Sequence, residues 1–333
     1  MTTKSNATLS LRDGGDLIAA LPHLVGFTPV DSLVVVSITE TGGEAAVGTV
    51  MRADLPCVDP PDMARHLAGI AADHASTAVL PVVVAARQGP HSGLVASLES
   101  EMAAAGITVP HSLWAPDVAR GATWRCYAGC DCSGAVADPD SSALGAAMTV
   151  MGLVRHPDRA SLAATLDPEP GDDPGARLAR IDRAARGAPD LGVIDQAVLA
   201  AAYLDLADPP APEPEIPESR VAELGAVLAT TEGRGRALEL ALTPQAEVAE
   251  RLWTRLTRAL PAPYRAGPAA LVAVHAYLRG DGTLARIAVA AALEADEDHP
   301  LARLLSTALG QAMPPEELRR IMAEAVGRSA GSG

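Results

Sequence analysis

Aromatic side chains are scarce in this chain, at 2% of 333 residues, and Phe27 is the single phenylalanine. The cores must therefore be built from alanine, valine and leucine, and a hydrophobic content of 48% supplies enough of them. Cysteine is rarer still, with four residues, which excludes a disulfide framework and points to reduced thiols in a cytoplasmic protein. No apolar run reaches the ~20 residues of a membrane helix. The stretch 143–154 is among the longest, and Met1–Ser10 is too polar to be the core of a secretory signal. Positive charge is in deficit: a formal net charge of −15 opposes binding to nucleic acid or to an anionic membrane, and no basic run is visible that would reverse this locally. Neither partner is expected. G-x-S-x-G is absent, and so is a glycine loop of the phosphate-cradling kind. Gly233-Arg234-Gly235-Arg236 carries two arginines but follows no strand, and reads as a break between helices.

What is present begins with residues 11–38. Asp13 suits a helix N-cap, Leu17, Ile18, Leu21 and Leu24 form an apolar face at helical spacing, and the helix is expected to end near Pro22. Gly26 suits a left-handed turn position, Phe27 an anchor, and Leu33–Ile38 a buried strand. Thr41-Gly42-Gly43 then predicts a turn into a second, hairpin-paired strand over 45–51. Asp59-Pro60-Pro61 opens a helix to about His74, and 78–86 is a strand that Pro81 would confine to an edge or a bulge. A helix over 91–105 stops at Gly106, strand character returns over 107–114, and 124–127 adds a short strand. This order predicts a mixed α/β sheet with covering helices, followed by an all-α, helical-hairpin C-terminal domain.

Helical pattern takes over from Ser141, with helices expected over 142–154 and 157–166 and a helical piece including 191–204. Proline- and acid-rich breaks at 167–175 and 205–219 divide the chain into a mixed α/β domain (10–166), a helical connector (167–219) and an all-α domain (220–328). In the last of these, Thr243-Pro244 caps a helix striped by Val248, Leu252, Trp253, Leu256 and Leu260. Ala276, Tyr277, Gly280, Ala285, Ala288, Ala292 and Leu293 fall at the spacings of one tetratricopeptide-like hairpin, and 301–309 makes a further helix.

Two groups of residues bear chemistry. His23, Gly26, Phe27, Pro29, Asp31 and Ser32 gather at a helix end, a turn and a strand start, where α/β proteins often place ligands, and they are the candidate ligand-binding residues. Turn hydrogen bonding is the commoner use of Asp and Ser in such a place. Cys126, Cys130 and Cys132 form C-x3-C-x-C, a candidate metal group whose fourth ligand would come from Cys57 or from a distant histidine such as His111. The pattern is not a standard zinc spacing, so reduced cysteines in a turn are the preferred reading. No cofactor is predicted, and zinc is the metal the group would suit.

Three blocks, LPHLVGFTPVDSLVVV at 21–36, the cysteine group after Trp124-Arg125, and residues 263–305, together resemble an uncharacterised family of cytoplasmic actinomycete proteins, a catalogued domain of unknown function. The likeness spans about residues 10–325. It departs from the family at the cysteines, which there are often adjacent and followed by proline, whereas here Asp131 and Ser133 intervene and follow. Arg236-Ala237 likewise stands where the family's helical half has arginine-aspartate. The resemblance implies an architecture and no mechanism, so whether the chain is an enzyme stays open. The preferred reading is a non-enzymatic protein-binding or scaffold protein of the cytoplasm with an unknown protein partner. The alternative is an enzyme or small-ligand sensor using the His23–Ser32 turn.

Overall fold

The computed structural model describes residues 13–41, 44–55, 59–127, 130–141, 155–169, 174–187, 190–205 and 216–330. The chain divides into two compact units, Met1–Ser161 and Leu162–Gly333. The helix expected over 142–154, the Gly42-Gly43 turn, Cys57 and the acidic linker 206–215 lie outside the described residues.

The first unit is organised on β1 (Ser32–Thr41), whose Leu33, Val34, Val35 and Val36 are at most 1% exposed. An unbroken apolar run of this kind, three of its four residues β-branched, is buried on both faces, as a central strand must be. β2 (Glu44–Asp54) pairs antiparallel with one edge of β1, and β3 (Ala78–Val84) pairs antiparallel with the other. β4 (Leu113–Ala115) joins β3 in parallel, then β5 (Thr123–Cys126) and β6 (Ser133–Ala135) follow antiparallel, giving the order β2-β1-β3-β4-β5-β6. Helix α1 (Gly14–Val25) is capped by Asp13, whose carboxylate accepts from the N–H groups of Gly15 and Asp16. α2 (Pro60–Asp73) and α3 (Ser92–Ala104) pack against each other. The mixed sheet with helices is therefore the architecture of this unit.

Local expectations fail at both prolines. Pro22 lies inside α1, and the helix runs on to Val25 before Gly26 ends it with φ 84°. The proline removes only the bond to the Ile18 carbonyl, and burial of Leu21, Pro22 and Val25 offsets that loss. Pro81 sits in a central strand, not at an edge. The N–H groups of Val79 and Ala85 point to the β4 side, so the donor missing at Pro81 falls there too. It falls in the gap between the isolated Ala78–Thr108 bridge and the ladder that starts at Val82–Leu113, so the β1–β3 ladder runs unbroken through Pro81. The same gap shortens the strand expected over 107–114 to β4 alone, and β6 carried no sequence signal.

In the chain's second half α4 (Arg159–Ala164) leads to α5 (Pro174–Arg186), α6 (Gly192–Asp205), α7 (Glu218–Leu228), α8 (Thr231–Leu240) and α9 (Ala246–Ala259). α10 (Ala266–Arg279), α11 (Gly282–Ala295), α12 (Pro300–Gly310) and α13 (Pro315–Ala330) complete it. Every residue of α10 from Ala266 to Leu278 is buried, which makes it the central helix of the second unit. Ala269 and Ala270 meet Ala292 of α11 and Ala302 of α12, all fully buried, so small side chains do bring the hairpin helices together. The connector's α5 packs on α7, and α6 packs on α9.

Two N-termini differ from expectation. Gly233 and Gly235 do not break a helix. They lie inside α8, which Thr230 caps by accepting from the Gly233 N–H at 2.9 Å. The Thr243 hydroxyl donates to the Leu240 carbonyl at the end of α8, and α9 starts only after Gln245.

Candidate functional site

Strand register gathers the cysteines. In the β4–β5 ladder Leu113 faces Cys126, and the Tyr127 N–H donates to the Ser112 carbonyl at 2.8 Å, which places His111 beside the end of β5. In the β5–β6 ladder Arg125 faces Ser133, and the Cys126 N–H donates to the Cys132 carbonyl at 3.0 Å, so Cys132 lies opposite Cys126. Nδ1 of His111 is 3.6 Å from Sγ of Cys126 and 3.8 Å from Sγ of Cys130. The ligating atoms of His111, Cys130 and Cys132 all lie within 4.8 Å of one another. The Cys132 backbone N–H, then the thiols of Cys132 and Cys126, point at the Cys130 sulfur and lower its pKa to about 6. Cys132 is pushed up, chiefly by its hydrogen bond with the Cys130 thiol. The hairpin is moored from behind, where Gln88 Nε2 donates to the Cys126 carbonyl at 3.1 Å and the Tyr127 hydroxyl donates to the Gln88 carbonyl at 3.0 Å.

The His23–Ser32 turn is also drawn together, by bonds internal to the fold. His23 Nε2 lies 3.0 Å from the Pro139 carbonyl oxygen. Gly26 and Thr28 bond the backbone of His156, which closes a bridge beside the buried Phe27 ring. The Arg52 guanidinium stands 5.2 Å from that ring's centroid, pairs with Asp54, and donates through Nε and Nη2 to the Ser32 hydroxyl at 3.1 and 2.9 Å. Ser32 is fully buried and donates in turn to the Val30 carbonyl at 2.7 Å. Pro29 is buried, and Asp31, at φ 42°, is held by its carbonyl to the Leu55 N–H at 2.7 Å. Neither of two surface clefts, one between α5 and α7 and one at the C-terminal end of α3, adjoins the turn. Ser32→Ala is expected to cost about 1–2 kcal/mol, because the Arg52 fork loses a buried acceptor. Urea unfolding of the full chain would read this, and an unchanged midpoint would refute it.

The cleft between α5 and α7 has a volume of about 510 Å³ and is lined by Arg180, Arg183 and Arg220 together with Asp190, Ser219 and Glu223. Arg220 pairs with Glu223 at 3.2 Å, and the Asp190 carboxylate accepts from the Gly192 N–H at 2.9 Å. Glu218 binds Arg177 at 2.5 Å and Arg180 at 3.1 Å, and the Arg177 hydrogen bond holds its carboxyl below the usual range. Arg183 has no ion pair among the described residues. The cleft went unseen in the sequence because no basic run marks it. Its signal is the pair Arg180 and Arg183 of α5, whose i, i+3 spacing puts them side by side on one helix face.

No helix of the described residues is long and apolar enough to cross a membrane. No curated protein and no solved structure matches the chain significantly. One family model, described as a domain of unknown function (DUF4192), matches residues 15–316, running from the first helix through both units, and the chain belongs to that family.

Proposed function

We propose that this is a non-enzymatic binding protein whose helical unit receives an acidic segment of a protein partner in the cleft between α5 and α7. The observation that carries the reading is the cleft's lining: three arginines in a chain of net charge −15, with Arg183 uncommitted to any acid among the described residues. The guanidinium fork matches carboxylate geometry, which suits it to glutamate and aspartate side chains. A cleft of this volume is in the range that holds a few residues or a small ligand. Nucleic acid is a poorer fit, since its long phosphate track would run over a surface of its own sign. Catalysis from the His23–Ser32 turn is also less favoured, because the hydroxyl and imidazole there are engaged in holding the chain.

A fluorescein-labelled glutamate-rich peptide titrated into the full chain tests this. Saturable binding is expected to weaken with salt and to fall about tenfold, or about 1.4 kcal/mol, in Arg183→Glu. Arg183 makes no structural ion pair among the described residues, so the variant should keep its circular dichroism spectrum and melting temperature. Absence of saturable binding, or equal affinity in the variant, would overturn the reading.

A further inference from the structure

We propose that His111, Cys126, Cys130 and Cys132 are the four ligands of a structural zinc ion at the end of the β4–β5–β6 sheet edge. This stands independently of the cleft in the helical unit. Zinc holds thiolate sulfur at about 2.3 Å and imidazole nitrogen at about 2.0–2.1 Å, so a tetrahedral site has sulfur–nitrogen edges of about 3.6 Å and sulfur–sulfur edges of about 3.8 Å. The His111 nitrogen lies 3.6 Å from the Cys126 sulfur and 3.8 Å from the Cys130 sulfur. Cys132 joins the same group within 4.8 Å of His111 and Cys130, and its carbonyl accepts from the Cys126 N–H across the hairpin at 3.0 Å. Cys126 lies outside that group of three, so closing the tetrahedron needs its side chain and that of Cys132 to rotate inward, with no change of register.

The donor chemistry selects the metal. Three thiolates and one imidazole are a soft set that suits zinc and rejects magnesium and calcium, which demand oxygen. The Cys126–Cys130 interval lies within the ordinary range for a zinc pair, while Cys130–Cys132 is shorter. The fold accommodates the short interval because Cys132, immediately before β6, is already backbone-bonded to Cys126 across the hairpin. Four protein donors leave no position for water or substrate, and the site is accordingly structural.

The fold also has a use for such an ion. β6 is three residues long, Ser133–Ala135, and every one of them is exposed. A hairpin that buries so little apolar surface is marginal by itself. Zinc would clip the end of β6 to β5, and through His111 to the segment that leads into β4, replacing the burial that the sequence does not supply.

The test uses the full chain, purified under reducing conditions without chelator from zinc-supplemented medium. Native mass spectrometry is expected to show about one zinc ion per chain. Cobalt(II) added to the stripped protein should give the visible bands of a tetrahedral thiolate complex, with a sulfur-to-cobalt charge-transfer band whose intensity counts the thiolates. Cys132→Ser should lower that band by about a third, whereas His111→Ala should keep the band and weaken zinc affinity about a hundredfold or more. A merely structural role for either residue would not divide the two signals in this way. Cys57→Ser should change nothing. The proposal is overturned if no zinc is retained and cobalt gives no such bands, or if Cys57→Ser abolishes binding while His111→Ala does not.

Discussion

Lowering the pH from about 7 to about 4 is expected to remove about 3 kcal/mol from the stability of the helical unit through His275 alone. His275 is 4% exposed on the central helix α10, and its Nε2 accepts a hydrogen bond from the Trp253 indole N–H at 3.2 Å. That bond requires an unprotonated Nε2, and burial pushes the pKa down from 6.5 to about 4, with the Ala246 backbone opposing the shift and the Arg279 charge adding to it. The unfolded chain takes up its proton near the ordinary value of 6.5, while the folded chain refuses it until about 4. Between those values the unfolded state binds more protons, so stability falls as pH falls, and the loss is complete below the folded value. His275→Gln keeps a neutral group that accepts from Trp253 but cannot titrate. Urea unfolding of both proteins across this range should give curves that converge toward neutral pH and separate in acid, the wild type losing more. Surface carboxylates contribute equally to both, as does Glu250, whose pKa burial raises and whose partner is Arg279. Parallel curves would show that His275 is not held neutral.

The sequence shows this histidine's helix but not its partner. α9 was legible from the Val248–Leu260 stripe and the α10–α11 hairpin from the spacing of its alanines, because both patterns record burial, which is local to each helix. β1 was legible for the same reason, since a run of β-branched residues has only one comfortable place in a sheet. Pro81 misled because its missing donor faces only the β4 side, where the pairing is interrupted, and leaves the β1 ladder whole; which neighbour is short there is a fact of the next strand. β6 was illegible because Ser133–Ala135 buries nothing and so leaves no pattern. The cysteines are visible in the sequence and His111 is one of several distant donors, but only the β4–β5 register brings the imidazole to them. The Arg180–Arg183 pair of α5 was present in the spacing, although its meaning depended on α7 lying across from it.

Gly233→Ala and Gly235→Ala, two residues apart on α8, are expected to move stability in opposite directions. α7 and α8 are joined by Ala229 and Thr230 alone, and the first turn of α8 folds back on the last turn of α7. A Cβ on Gly233 would fall well inside contact distance of the Val227 carbonyl oxygen and 2.7 Å from its carbonyl carbon and Cγ1. Backbone cannot turn aside as a flexible side chain can, so the helices would have to separate. Their approach is fixed locally, since Thr230 both donates to the Val227 carbonyl at 2.8 Å and accepts from the Gly233 N–H at 2.9 Å. Overpacking of this kind should cost about 3 kcal/mol, or roughly 6–12 °C in melting temperature for a unit of this size. Gly235 is exposed in the same helix with nothing within 4 Å of its missing Cβ. An alanine there reduces the freedom of the unfolded chain at no steric cost, and should stabilise by about 0.5–1 kcal/mol. Differential scanning calorimetry of the two variants separates the contributions. Both would be stabilised if this segment were an ordinary exposed helix, and both destabilised if its glycines served a helix break, so only the opposite signs are consistent with a capped helix packed tightly at its first turn and free at its second.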